Sequence, residues 1–325
     1  MGMSTAKEIF VKLNKTKKLP SPSGTTLTVL QLCHHEETSL KDIADVIQTD
    51  PAFTAEILKY ANSFHLSTGI PVVSVQKAAI KLGLRTIVNL ALGLSLLANN
   101  KKGKCKGFDY KNFWSISLLQ AIAARHLAKA GKEFDPEEVF TCALLSHMGE
   151  LALASVFPQE YGGLLHEFAF DSCGEWDVTS SDKAASGLPP NRFRKLLEKE
   201  RFEIDSSELT VELFLDWGLP AHYALAIGFH DDLDCKELGL GKTQKIADLL
   251  NLSRKFAEIC FHVPITSFQL SVVEKSSEKF DITAGDFDTI FDTVISQWHE
   301  FGETFEIHTH PCPLYSEIMN RDAEG

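Results

Sequence analysis

Residues 143–153, Ala-Leu-Leu-Ser-His-Met-Gly-Glu-Leu-Ala-Leu, form an apolar stretch with a polar centre. Its two apolar ends predict the core of one buried helix. Ser146 and His147 interrupt the apolar run, and Gly149 follows them closely. Because buried polar side chains usually have a partner or a function, this stretch is the first candidate for a functional site.

Helical periodicity extends from this stretch in both directions, and strands are not indicated. Helices are predicted near residues 5–13, 25–33, 40–48, 52–63, 75–82, 84–98, 110–131, 158–170, 190–201, 206–216, 221–230, 242–261 and 286–304. Only the apolar pieces near 70–73 and 263–270 are ambiguous between helix and strand. The pattern also predicts a long loop at 171–189 and a frayed tail from residue 311.

Several helix starts carry local capping signals. Asp50-Pro51 places an N-cap aspartate before a proline in the first turn. Ser39 to Asp42 and Asp205 to Glu208 are capping-box patterns. Such signals fix helix boundaries and support an all-α fold.

The predicted architecture is a two-lobed helical bundle. A basic linker with two glycines, residues 99–107, separates the lobes. The expected domains are an N-terminal lobe at 1–100, a second helical lobe at 107–260, and a C-terminal extension and tail at 261–325.

Composition excludes several classes of protein. The net charge of -12 disfavours general nucleic-acid binding and attraction to an anionic membrane surface. The seven cysteines are scattered without a Cys-x-x-Cys pair, which predicts reduced thiols. The polar N-terminus shows no signal peptide, and the apolar run 87–98 is too short to span a bilayer. We therefore expect a cytoplasmic protein.

Short groups in a fixed order along residues 8–260 resemble a known family. They are Leu19-Pro20, Asp50-Pro51-Ala52, Ala61-Asn62-Ser63, Leu82-Gly83, Phe113-Trp114, Trp217-Gly218-Leu219-Pro220, and Ala226-Ile227 with His230. In this order they resemble the HDOD domain, a helical relative of the HD metal-dependent phosphohydrolases found in bacterial signalling proteins. The resemblance implies an HD-like second lobe and a regulatory role.

The same resemblance implies where the metal ligands of an active HD enzyme would stand. Aligned on Gly149, the His-Asp pair of such enzymes falls on Ser146 and His147. Two further histidines fall on Ile116 and Ser206, so that only His230 remains. Because hydroxyl and alkyl side chains are poor metal ligands, the resemblance implies no metal, no cofactor and no catalytic residue.

Three candidate ligands leave alternatives open. His147 is either a satisfied core histidine or a ligand or pH-sensing group in a remnant pocket. His230 and Asp231 are either the capped end of a helix or, with His147, a shifted metal site. Ser146 and His147 do not form a triad, because neighbours in a helix point about 100° apart.

The predicted function is that of a non-catalytic bacterial signal-transduction protein. Trp114, Ser146, His147 and His230 are expected to line a cleft between the lobes that takes a small ligand, such as a nucleotide, or a protein. The expected partner is a signalling protein, such as a kinase or a component of a cyclic-dinucleotide pathway. The alternatives are a divergent metal-dependent phosphohydrolase or phosphodiesterase, and a plain scaffold or oligomerisation unit.

Overall fold

The computed structural model describes residues 2–33, 39–62, 71–171, 190–239, 241–261 and 265–321. Within these ranges the chain is helical and contains no strand. The α-helices are α1 (Gly2–Asn14), α2 (Gly24–Cys33), α3 (Leu40–Gln48), α4 (Pro51–Ala61), α5 (Val75–Leu82), α6 (Leu84–Asn100), α7 (Tyr110–Gly131), α8 (Pro136–Leu144), α9 (Met148–Val156), α10 (Pro158–Asp171), α11 (Pro190–Phe202), α12 (Ser206–Asp216), α13 (Ala221–Phe229), α14 (Lys242–Phe261), α15 (Ser267–Ser277), α16 (Ala284–Phe305) and α17 (Tyr315–Arg321). The all-α fold predicted from the sequence is thus confirmed.

The first of two compact units combines residues 1–20, 102–110 and 145–251. Helix α12 lies at its centre and packs against α1, α9, α11 and α13. Eight of its first nine residues, all of Ser206 to Phe214 except Glu208, are buried, because neighbours cover more than one face of the helix. This central helix supplies one wall of the candidate site.

The second compact unit combines residues 21–101, 111–144 and 252–325. Its core is aromatic, and the fully buried rings include Phe256, Phe287, Phe291, Trp298 and Phe301. Each compact unit is built from three separate segments of the chain. The contiguous lobes expected at 1–100, 107–260 and 261–325 stay a prediction.

Local capping signals place most helix boundaries as predicted. The side chain of Asp50 accepts the backbone N–H of Phe53, with Pro51 in the first turn of α4. Both capping boxes, at the starts of α3 and α12, are formed. Gly83 ends α5 with a φ of 84°, a conformation that glycine adopts without strain.

Other signature residues also stand at helix ends. Asn62 caps α4 after Ala61, and its side-chain amide exchanges two hydrogen bonds with the backbone of Val72. Trp217 caps α12, and Pro220 precedes α13. Leu19 and Pro20 are buried before α2. Ser63 and the predicted loop residues 172–189 lie outside the described residues.

The structure adds to or departs from the sequence prediction in three places. The piece at 263–270, left open between helix and strand, leads into a helix, α15, whose start carries a capping box from Thr266. The predicted frayed tail contains α17, which buries Ile318 against the rest of its unit. The linker predicted at 99–107 contains a buried residue, since Cys105 is only 2% exposed.

The stretch at 143–153 is not one continuous helix. Helix α8 ends at Leu144, and α9 begins at Met148 with His147 as its N-cap residue. The turn between them is tight, since Met148 N–H donates to Leu145 O and Glu150 N–H donates to His147 O. Ser146 and His147 therefore lie on a turn between two helices rather than inside one.

The segment from α8 through α9 has the length and hydropathy of a membrane span. However, 89% of its most apolar window is buried by the protein itself, as in the core helices of soluble proteins. Its apolar character is thus accounted for by packing within the fold.

Candidate functional site

A small polar pocket lies in the first unit, where the α8–α9 turn meets α11, α12 and α13. Its lining residues are Ser146, His147, Glu150, Lys195, Ser206, Ser207, Thr210, Gly228, His230 and Asp231. The pocket encloses about 200 Å³, part of it open to solvent. The space that the centre of a water molecule can occupy is only about 10 Å³, which is room for roughly one ordered water.

Gly149 sets how closely the two walls of the pocket approach. A Cβ atom at this position would lie 1.9 Å from the carbonyl oxygen of Ser206 on α12. The backbone N–H of Gly149 donates to Thr210 Oγ1 over 2.9 Å, and this hydroxyl donates in turn to Ser206 O over 2.7 Å. Glycine is therefore needed here for the contact between α9 and α12.

His147 and His230 face each other across the pocket. Their ring centroids are 5.4 Å apart at an interplanar angle of 69°. His230 is the C-cap residue of α13, and its Nδ1 lies 2.6 Å from Ile227 O, so that Nδ1 carries the proton. The His230 carbonyl accepts a hydrogen bond from Asn251 over 2.9 Å. These contacts hold one histidine in a fixed orientation at the helix end.

A buried charge network extends from His147 into the interior. Glu150 Oε1 lies 3.2 Å from His147 Nδ1 and accepts a hydrogen bond from Arg194 Nη2 over 2.7 Å. Arg194 Nε also lies 3.5 Å from Glu198 Oε1, and Glu198 accepts hydrogen bonds from the Tyr161 hydroxyl and the Ser206 backbone N–H. The guanidinium thus lies between two carboxylates.

The pKa values in this network follow from burial and pairing. Burial opposes ionisation of Glu150, but the Arg194 guanidinium and His147 outweigh it and hold the pKa of Glu150 well below its ordinary value. For Glu198, burial dominates and raises the pKa, although Arg194 lowers it in part. Burial and the neighbouring Glu198 also raise the pKa of Tyr161. Glu150 is therefore the ionised partner of Arg194 at neutral pH.

A second ion pair lies at the rim of the pocket. Lys195 Nζ is 3.4 Å from Asp231 Oδ2, and both side chains are mostly buried. Asp231 Oδ1 is also 3.3 Å from His230 Nε2. Arg194 and Lys195 are consecutive on α11. One turn of this helix therefore places Lys195 in the lining of the pocket and Arg194 against Glu150.

These donors do not fit the metal centre of an HD enzyme. Ser146 and Ser206 offer hydroxyl groups, which bind divalent transition metals poorly. The two carboxylates, Glu150 and Asp231, are paired with Arg194 and Lys195. Among the described residues, no three or more His, Cys, Asp or Glu side chains are arranged to hold a metal ion.

The sequence-predicted site residues divide between the two units. One pocket is lined by Asp231 and by four residues that the resemblance aligns with HD ligands, Ser146, His147, Ser206 and His230. Trp114 belongs to the second unit, as does Ile116; its indole N–H donates to Asn100 O over 2.9 Å, and its side chain is buried. The role of Trp114 in the pocket stays a prediction.

The sequence did not predict the two cations of the site, Arg194 and Lys195. Arg194 and Lys195 lie on a predicted helix, but nothing local indicates that they point towards residues 147–150 and 231. Two signals were present: His147 and Glu150 have the i, i+3 spacing, and Arg194 and Glu198 have the i, i+4 spacing of helical ion pairs. Both pairs are formed in the structure.

Residues 19–179 match the model of one protein family, the HDOD domain. A search of curated proteins found no match.

Solved structures share the fold over nearly the whole chain. An HDOD domain protein from Geobacter sulfurreducens is 18% identical, with 95% of this chain and 99% of that chain covered and a TM-score of 0.68. A Shewanella amazonensis protein with the provisional name of phosphohydrolase is 23% identical, with coverages of 94% and 100% and a TM-score of 0.66. A Marinobacter aquaeolei protein with the provisional name of signal transduction protein is 19% identical, with coverages of 93% and 67% and a TM-score of 0.60.

Proposed function

Because this chain belongs to the HDOD family, we propose that it is a non-catalytic bacterial signal-transduction protein. It acts through contacts with a signalling protein or through a small ligand in the pocket around His147 and His230. The proposed partner is a kinase or a component of a cyclic-dinucleotide pathway, and the proposed location is the cytoplasm.

One observation carries the non-catalytic proposal. Four of the five positions that the resemblance aligns with HD ligands, all except Ile116, line one pocket. Two of these four are serines, and protein cations pair with the nearby carboxylates. A hydrolytic centre needs metal ions that lower the pKa of a bound water and stabilise the phosphate. Arg194 and Lys195 supply positive charge at this place but cannot activate a water as a metal does.

The names of similar structures do not decide between activities. One neighbour bears the name of a phosphohydrolase and another that of a signal transduction protein. At these identities the likeness concerns the fold, and function resides in the site rather than in the fold. The proposal therefore rests on the side chains in the pocket.

A hydrolysis assay tests the proposal directly. The purified protein is incubated with Mn²⁺ and with nucleoside phosphates or cyclic dinucleotides, and product is measured by chromatography. We expect no product above the rate of the His147→Ala variant. Turnover that is lost in His147→Ala and retained in a variant of the exposed His166, His166→Ala, would refute the proposal.

The second candidate function is a divergent metal-dependent phosphohydrolase. It is favoured by the placement of His147, His230 and Asp231 in one pocket. The same assay discriminates the two functions, because only the phosphohydrolase needs metal and loses turnover without His147.

Ligand binding separates a sensor from a plain scaffold. Thermal unfolding is followed with and without nucleotides and cyclic dinucleotides, since a ligand that binds only the folded state raises the melting temperature. A rise that disappears in His230→Ala supports a ligand-binding pocket. If no compound shifts the melting temperature, the plain scaffold is favoured instead.

A further inference from the structure

The chain after α16 packs against other helices of its own unit, the second. His310 packs against two aromatic rings that also contact each other, with centroid distances of 4.7 Å to Phe261 and 5.0 Å to Trp298. The His308 carbonyl accepts a hydrogen bond from Ser115, and Thr309 Oγ1 lies 3.1 Å from His299 Nδ1. Residues 308–310 are thus held beside the C-terminal end of α14.

This packing brings two cysteines together. Cys260 is on the last turn of α14 and is fully buried. Cys312, two residues after His310, is partly exposed and is near enough to Cys260 to contribute to the raised pKa of that thiol. Phe261, next to Cys260, contacts His310, so the ring contacts place the two chain segments side by side independently of the thiols.

We propose that Cys260 and Cys312 form a reversible disulfide when a hydroperoxide reaches Cys312. The Cys312 thiolate attacks the peroxide oxygen, which gives a sulfenic acid and releases an alcohol or water. The Cys260 sulfur then attacks the sulfenic sulfur, and the hydroxyl group leaves as water with the proton of the second thiol. Two thiols lose two hydrogens and one peroxide bond is reduced, so the atoms and electrons balance.

The different burial of the two thiols assigns their roles. Burial raises the pKa of the Cys260 thiol, and the hydrogen bond and charge of Cys312 add to this effect. A buried thiol of raised pKa reacts slowly with an oxidant in solution. Cys312 is therefore the thiol that meets the peroxide, and Cys260 is the resolving thiol.

The disulfide would change how firmly the end of the chain is held. It closes a loop that contains α15 and α16 and fixes the segment before α17 to the end of α14. α17 already contacts both α15 and α16. Oxidation would thus favour the docked state of α17 over any state in which this helix is released.

Peptide mapping tests the proposal on the full chain. The protein is treated with hydrogen peroxide, its remaining thiols are alkylated, and it is digested without reductant for mass spectrometry. We expect a cross-linked peptide that joins Cys260 to Cys312 and disappears after treatment with dithiothreitol. Cys312→Ser should lose this peptide. Cys235→Ser should retain it, because Cys235 is also partly exposed but is hydrogen-bonded to Glu237.

Hydrogen exchange of α17 provides the second readout. The oxidised protein should show slower amide exchange in residues 315–321 than the reduced protein, and Cys312→Ser should show no such change. The proposal is overturned if peroxide converts Cys312 to a sulfinic acid without a cross-link. It is also overturned if the Cys260–Cys312 disulfide forms but leaves exchange in α17 unchanged.

Discussion

Gly149 shows how a single residue determines the geometry of the site. The sequence indicated its importance through its position after Ser146 and His147, but not the reason. The structure gives the reason, since the backbone of α12 occupies the space that a Cβ would need. The close contact also explains why Thr210 can accept the Gly149 N–H, a donor that the first turn of α9 leaves without an intrahelical acceptor.

Gly149→Ala should destabilise the protein, because α9 and α12 would have to separate. Overpacking of this kind costs about 1–3 kcal/mol. The control is Gly163→Ala, since a Cβ at Gly163 on α10 meets nothing within 4 Å. This control should be neutral or stabilising by up to about 1 kcal/mol. Urea unfolding measures both, and equal effects of the two substitutions would contradict the packing argument.

Arg194→Met should be strongly destabilising, because it leaves Glu150 and Glu198 without their shared cation. Removal of one member of a buried ion pair costs about 3–5 kcal/mol. Arg201→Met is the matched control on the same helix, since Arg201 pairs with Glu167 at the surface and such pairs contribute about 0–1 kcal/mol. A loss of stability in Arg194→Met no greater than in the control would show that the network is not structurally important.

The lowered pKa of Glu150 predicts a pH dependence with a definite sign. A carboxyl whose pKa falls below its ordinary value of 4.5 on folding stabilises the folded state above that value. This contribution is lost as the pH falls through the lower pKa of the folded state. Glu198, with a raised pKa, has the opposite sign.

Comparison of wild type with Glu150→Gln isolates the Glu150 contribution. The difference in the free energy of unfolding should be largest near neutral pH and should shrink as the pH falls below about 4.5. Denaturant unfolding over a series of pH values measures it. A difference that stays constant with pH would contradict the assigned ionisation.

At the scale of helices, the boundaries that depend on neighbouring residues were predicted, and those that depend on tertiary contacts were missed. The starts of α3, α4 and α12 were predicted, because capping depends on residues within one turn. Helix α15 was missed, since its sequence contains adjacent β-branched valines and weak helical periodicity. The break between α8 and α9 was also missed, because the contact of Gly149 with α12 is distant in sequence.

Asp205→Ala should weaken the start of α12. The side chain of Asp205 accepts the Glu208 N–H over 2.9 Å, and loss of such a cap costs about 1 kcal/mol. Asp216→Ala, at the exposed end of the same helix, should be neutral or slightly stabilising, because an acidic residue disfavours a helix C-terminus. Thermal unfolding of both variants checks the pair. A similar loss in the two variants would argue against a specific capping role.

At the scale of the whole molecule, the sequence predicted the family and the all-α class but not the composition of each unit. The order of short motifs carried the family resemblance, and residues 19–179 match the HDOD domain. The units combine segments that are distant in the chain, and no local pattern shows such pairing. The motifs pointed to Ser146, His147, Ser206 and His230. They did not point to Arg194 and Lys195 on α11, whose partners are distant in the chain.

The central claim is that protein cations, rather than metal ions, compensate the carboxylates around His147 and His230. Equilibrium dialysis of the purified protein against Mn²⁺, with bound metal measured by mass spectrometry, tests it most directly. We expect no stoichiometric metal, and no difference between wild type, His147→Ala and His166→Ala. One or two Mn²⁺ ions per chain that are lost in His147→Ala and retained in His166→Ala would contradict the claim.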